Sequence, residues 1–334
     1  MKIIGNKSES KRKFDSKVKI PAIFIASILL IGALIPTTLS IFPGQLLNQV
    51  LAETVTGTDG DDNLEGSDDG DDVEGKGGDD RIDSKGGEDR NTGDKNEGDG
   101  DGGDDVINSG DGNDVNRGDN FFGDGNGGDD VINSGDGIDK NVGDNQIGDG
   151  KGGDDVINSG DGIDTNVGDN EDGDGNGGDD VINSGAGGDG NIGDNFFADG
   201  NGGDDVINSG DGDDINRGDN QRGDGDGGDD VINSGDGNDE NYGDNFNGVG
   251  DGGDDKIKSG KGNDVNCGDN RDFFLDECET DGNGGDDKIN AGQGDDTLTG
   301  SGGADKFQCG SGDDTVTDFN EAEGDKAAGN CEIT

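Results

Sequence analysis

The chain has 334 residues, of which 82 are acidic and 24 basic, with no His, for a formal net charge of −58. Such a surface repels nucleic acid and anionic membranes and attracts divalent cations, and without His neither a Ser-His-Asp triad nor a Cys-His pair can be assembled. Gly supplies 75 residues and apolar types only 24%, so hydrophobic burial alone cannot offset the entropy of ordering this backbone.

Residues 1–52 stand apart, with seven Lys/Arg and two acids, which leaves 17 bases and 80 acids, a net of −63, to the remainder. A basic stretch over 1–19 precedes Ile20–Ile35, which is apolar apart from Pro21 and Ser27; weaker apolar character continues through Phe42 and Leu46–Leu51. This is the pattern of a secretory signal with a long basic region or of an uncleaved signal anchor. Val50-Leu51-Ala52 fits cleavage before Glu53, whereas Ile20–Phe42 is long enough to span a bilayer. In both cases the acidic bulk is expected outside the cell, with membrane contact only through this segment. Residues 53–74 read as an entry cap, in which Gly57–Glu65 (GTDGDDNLE) places Leu64 inward and the following unit, GSDDGDDVE, is out of step.

Residues 75–281 hold eight copies of a 25-residue unit, beginning at Gly75, Gly100, Gly125, Gly150, Gly175, Gly200, Gly225 and Gly250, the last with seven extra residues. Within the chain the sixth position is always Asp, the eighth Ile, the fifteenth Asp, the seventeenth Asn and the twentieth Asp, as at Asp130, Ile132, Asp139, Asn141 and Asp144. Each copy divides into nine, nine and seven residues, as in GNGGDDVIN, SGDGIDKNV and GDNQIGD. Gly permits tight corners, and the branched residue at the eighth position packs on a pleated strand.

The nonapeptides resemble the G-G-x-G-x-D-x-U-x repeat of the repeats-in-toxin (RTX), or haemolysin-type calcium-binding, family. The resemblance implies an all-β fold, a parallel β-roll or β-helix solenoid preceded by an N-terminal signal or anchor helix. It also implies several Ca2+ ions, each held by sixth-position Asp and turn carbonyls. Carried over position by position, the ligands in the first nonapeptides are Asp62, Asp80, Asp105, Asp130, Asp155, Asp180, Asp205, Asp230 and Asp255; in the second they are Asp89, Asp114, Asp139, Asp164, Asp189, Asp214, Asp239 and Asp264. Asp129, at the fifth position, is expected to act through its backbone. Asp144 lies outside both nonapeptides and points to a further site in the heptapeptide.

Two departures from the family stand out. Its turn has 18 residues, so the heptapeptide either loops out or forms a third face. Asn141 and its equivalents replace an aliphatic residue; stacked at about 4.8 Å they would form an amide ladder, the alternative being a solvated turn Asn.

Residues 282–334 return to a period of nine and are expected to cap the solenoid, with Ile289, Leu298, Phe307 and Val316 inward and Asp287, Asp296, Asp305 and Asp314 as ligands. GGADKFQCGSGDDTVTDFN is the stretch most like the family. The four cysteines fit disulfides in an exported protein, in any of three connectivities; Cys267 with Cys278 would staple the insertion RDFFLDECET, and Cys309 with Cys331 would then pin the tail. An EF-hand is excluded, because counting from Asp124 the sixth residue is Asp129 rather than Gly and the twelfth is Gly135 rather than Glu.

The expected function is therefore non-enzymatic: an exported calcium-folded structural or adhesive protein of the cell surface or matrix, with glycan or protein partners. The alternatives are an extracellular calcium buffer and a β-helix enzyme acting on cell-surface polysaccharide.

Overall fold

The computed structural model describes residues 52–334 except 98–99, 123, 148, 172–174, 197–199, 222–224, 247–249, 271–277 and 279–283. The signal or anchor segment, most of the insertion and the ends of several heptapeptides lie outside the described residues. Among those described, no helix is long and apolar enough to cross a membrane.

Among the described residues two long parallel sheets, of 13 and 12 strands, run the length of the array, and each strand but the terminal ones pairs with its equivalents in the turns before and after. In the 12-stranded sheet Val131–Asn133 lies between Val106–Asn108 and Val156–Asn158, with Ile132 opposite Ile107 and Ile157. The short x-Ile-x strand alternates by physical necessity: its centre points inward and its flanks outward. The inward Ile residues form one unbroken column, with Ile107, Ile132 and Ile232 at 0% exposure.

The 13-stranded sheet answers the question of the heptapeptide. Strand Lys140–Ile147 runs from the second nonapeptide straight into the heptapeptide, and Asp144 pairs in register with Asp119 and Asp169. The first residues of the heptapeptide thus lengthen an existing face. The 25-residue turn is a roll in which one strand is long and the other short.

The unit Gly66–Glu74 is in step with its neighbours, a correction to the sequence reading. Strand Asp72–Lys76 pairs with Arg90–Glu97, and Val73 is buried in the core. Its displaced glycine misleads the eye: Asp69 stands where Gly is usual, and Gly70 follows. The strand-forming half is intact, and burial of Val73 sets the register.

Opposite the Ile column runs a polar one. Asn141 Nδ2 donates to Asn166 Oδ1 at 2.9 Å and also to Ser134 Oγ at 2.9 Å. The same pair of bonds recurs from Asn91 through Asn241, all fully buried. These residues are an amide ladder and not solvated turn residues. Between its two ends each amide both donates to and accepts from its neighbours in adjacent turns, so burial costs little. The ladder ends at Asn266, which accepts from Asn241 but faces Leu298 in the next turn, so its Nδ2 meets no acceptor. An outer ladder of half-buried Asn runs the opposite way, with Asn158 donating to Asn133 and Asn133 to Asn108.

Asn166→Ala would leave Asn141 short of an acceptor and Asn191 short of a donor. It is expected to cost about 1–3 kcal/mol, read as a lowered urea midpoint at saturating calcium.

At the C-terminal end the core becomes richer. Ile289, Ala291, Leu298, Phe307, Cys309 and Val316 are buried, with Phe319, Ala327 and Cys331 packed against them. Disulfides join Cys267 to Cys278 and Cys309 to Cys331, one of the three connectivities that the sequence leaves open.

Candidate metal centre

The sixth-position Asp residues stack into a file along one corner of the roll. Each is nearly inaccessible, with Asp105, Asp130, Asp155, Asp180, Asp205 and Asp230 all at 1% exposure. One oxygen is committed to the fold: Asp130 Oδ1 accepts from the Asp105 N–H at 2.7 Å, and Asp155 Oδ1 from Asp130 at 2.8 Å. The other oxygen, Oδ2, is buried and meets no hydrogen-bond donor. A charged oxygen in that condition is costly, and here the condition repeats in every turn of the array.

The twentieth-position Asp enters the same file. Asp119 Oδ2 accepts from the Gly128 N–H at 2.8 Å, which turns Oδ1, also without a donor, toward the sixth-position carboxylates. Asp105, Asp119 and Asp130 thereby bring carboxylate oxygens within 4.8 Å of one another; Asp80–Asp94–Asp105 and Asp169–Asp180–Asp194 do the same. The approach depends on glycine. A Cβ on Gly118 would overlap Asp130 Oδ2, and one on Gly152 would overlap Asp169 Oδ2.

This placement corrects the expectation of a separate heptapeptide site at Asp144. Asp144 joins Asp155 and Asp169 in the first-nonapeptide file. Asp94, Asp119, Asp169, Asp194 and Asp219 likewise belong to it, and none was carried over from the nonapeptide motif. The signal that marks them is the Gly-Asp pair opening every heptapeptide, as at Gly118-Asp119.

The fifteenth-position residues form a second file. Asp114 Oδ1 accepts from Asp89 N–H and Asp139 Oδ1 from Asp114 N–H, both at 2.8 Å, and again each Oδ2 is buried without a donor. This file carries one carboxylate per turn, beside a Ser such as Ser134. In the tail the sixth-position pattern continues through Asp287 and Asp305, and the fifteenth through Asp296 and Asp314. Asp325, absent from the sequence reading, closes the first of these by accepting from the Asp305 N–H at 3.0 Å. At the other end Asp62 is half-buried and accepts from Thr58, so it lacks the naked oxygen of the array; Asp71 accepts from the Glu53 and Ser67 N–H groups. Asp129 is exposed, its Oδ1 accepting from the Asp154 N–H at 3.1 Å.

Burial first, and neighbouring carboxylates second, hold these groups toward the protonated form. Asp105 is pushed up to about 9 and Asp119 to about 8. Asp130, Asp155 and Asp180 lie well above the ordinary carboxylate range. In the second file Asp114 and Asp139 rise to about 6, again mainly through burial. Two unit charges at 4 Å repel by about 4 kcal/mol at an effective dielectric of 20. Ionised files of this kind need a cation, and oxygen-only donors suit a hard one.

The family model for the RTX calcium-binding nonapeptide repeat matches residues 52–90, 247–265 and 281–316, in four copies. Those stretches carry calcium-binding nonapeptides of the RTX type. The matched stretches take in the entry unit, the tail and parts of the first and last copies of the 25-residue array; the copies between have the same strands and Asp files with a longer turn. Compared with the curated proteins, the chain finds no match. The RTX repeats and the Asp triads together point to calcium as the ligand of these files.

Proposed function

We propose that the chain is an exported calcium-binding array, folded by Ca2+ and serving a structural or adhesive role at the cell surface or in a matrix. The observation that carries the reading is the run of buried carboxylate oxygens without donors, one or more in every turn. Sixth- and fifteenth-position Asp would hold the ions together with turn carbonyls. Bound calcium supplies the positive charge that lets the carboxylates ionise inside the roll, and its binding free energy adds to that of folding. Export is supported by the basic-then-apolar N-terminal sequence and by two disulfides, which persist in oxidising compartments. A role without catalysis is supported by the sameness of the turns and the lack of His. The partners would be surface or matrix glycans or proteins.

Circular dichroism of residues 53–334 tests the central claim. In chelator at pH 8 the chain should be expanded, and millimolar calcium should produce a β spectrum. Magnesium should do far less, because it demands a smaller octahedral shell and gives up water reluctantly. Identical spectra with chelator and with calcium would overturn the reading.

A further inference from the structure

We infer that the twentieth-position Asp turns one of the two files into a run of tight divalent-cation sites, unlike those of the second file. The inference rests on the calcium reading above and assigns it unequally within each turn.

The two files share one design. In each, an Asp gives Oδ1 to the backbone N–H of the equivalent Asp one turn earlier and keeps Oδ2 without a donor. They differ in what joins them. Beside Asp130 stands Asp119, fully buried, held through Oδ2 by the Gly128 amide and presenting Oδ1 without a donor. Beside Asp139 stands a neutral hydroxyl, Ser134.

The first file therefore offers two carboxylates per turn and the second offers one. Two unit negative charges match one divalent ion per turn with nothing left over, and one carboxylate per turn does not. Calcium affinity rises with the number of charged ligands and with the rigidity of the site, and both favour the first file. Rigidity comes from the strand: Asp119 lies within Val115–Phe122, hydrogen-bonded on both sides. Gly118 and its equivalents leave no Cβ where the sixth-position oxygen must lie. The insertion of seven residues per turn thus does chemical work: it lengthens a strand by the few residues needed to deliver a second carboxylate.

Calcium titration of the full chain with both disulfides formed, by calorimetry and by equilibrium dialysis, tests this. Two triple variants remove equal charge: Asp119→Asn with Asp169→Asn and Asp219→Asn, and Asp114→Asn with Asp164→Asn and Asp214→Asn. The unaltered chain should show two classes of saturable calcium. The first variant should lose tight ions, with the affinity of the affected sites falling about tenfold or more. The second should keep the tight class and lose weak ions. If a triple variant fails to fold at saturating calcium, Asp169→Asn and Asp164→Asn alone should each remove ions of one class only. Equal losses from one common class would overturn the inference while leaving calcium binding intact. Calcium uptake that vanishes as salt rises would overturn the calcium reading itself.

Discussion

Acid should substitute for calcium. In chelator at pH 5, residues 53–334 should keep much of the β spectrum that they lose at pH 8. The sign follows from the buried files. Asp105 and Asp119 titrate at about 9 and about 8 in the fold but near 3.9 in an unfolded chain. Between those limits the folded state binds more protons than the unfolded state, so stability falls as pH rises. For these groups it is fully present below about pH 4 and is lost as pH passes through the folded values. The second file, with Asp114 and Asp139 at about 6, gives up its share earlier. Calcium works in the opposite sense, since it binds the ionised carboxylates and competes with protons. Calcium bound at a given free concentration should therefore rise from pH 5 to pH 8, while the metal-free protein loses structure over the same range. A metal-free spectrum unchanged between pH 5 and pH 8 would show that the buried carboxylates do not control folding.

Removing residues 282–334 should raise the calcium needed for folding and make the remainder self-associate. Strands Lys256–Lys261 and Val265–Asn270 would lose their partners Lys288–Gln293 and Thr297–Thr299, leaving two open edges ready to pair with another chain. The loss also takes Ile289, Leu298, Phe307 and Val316, whose burial is worth about 1.5–3 kcal/mol each. The repeats behind them bury one Ile per turn in that column, so the tail is where apolar packing is concentrated. Calcium titrations followed by circular dichroism, with light scattering, would check this. An unchanged midpoint and a monodisperse truncated protein would refute it.

Much of this architecture was legible in the sequence because repetition displays register directly. Ile132 and its equivalents recur at one spacing, and a strand centre that must face inward accounts for them. The cysteine pairing was not fixed by the sequence, since four cysteines allow three connectivities and only the fold brings Cys267 to Cys278. The place of Asp144 was not legible, because a period of 25 says how often a residue returns and not which side of the roll it faces. Only the continuation of Lys140–Ile147 through the heptapeptide carries Asp144 back to Asp155. The Gly66–Glu74 unit was misread for a related reason. Its glycine is displaced by one position, yet burial of Val73 decides the register. The fully buried Asn was ambiguous by composition, since a polar residue reads as solvated until its partner one turn away is known.

The strict turn-to-turn pairing has a consequence for how such a protein changes over generations. Removing Gly150–Asp174 would set Lys140–Ile147 against Gly190–Phe196, and Asn141 would meet Asn191 as it now meets Asn166. Each rung would find an equivalent partner, each Asp file would stay continuous, and the array would shorten by one strand spacing of about 4.8 Å. Recombination between copies can thus lengthen or shorten the rod in whole turns without disturbing the ends that terminate it. Reach becomes a heritable variable separate from stability, set by counting copies and not by redesigning any one of them.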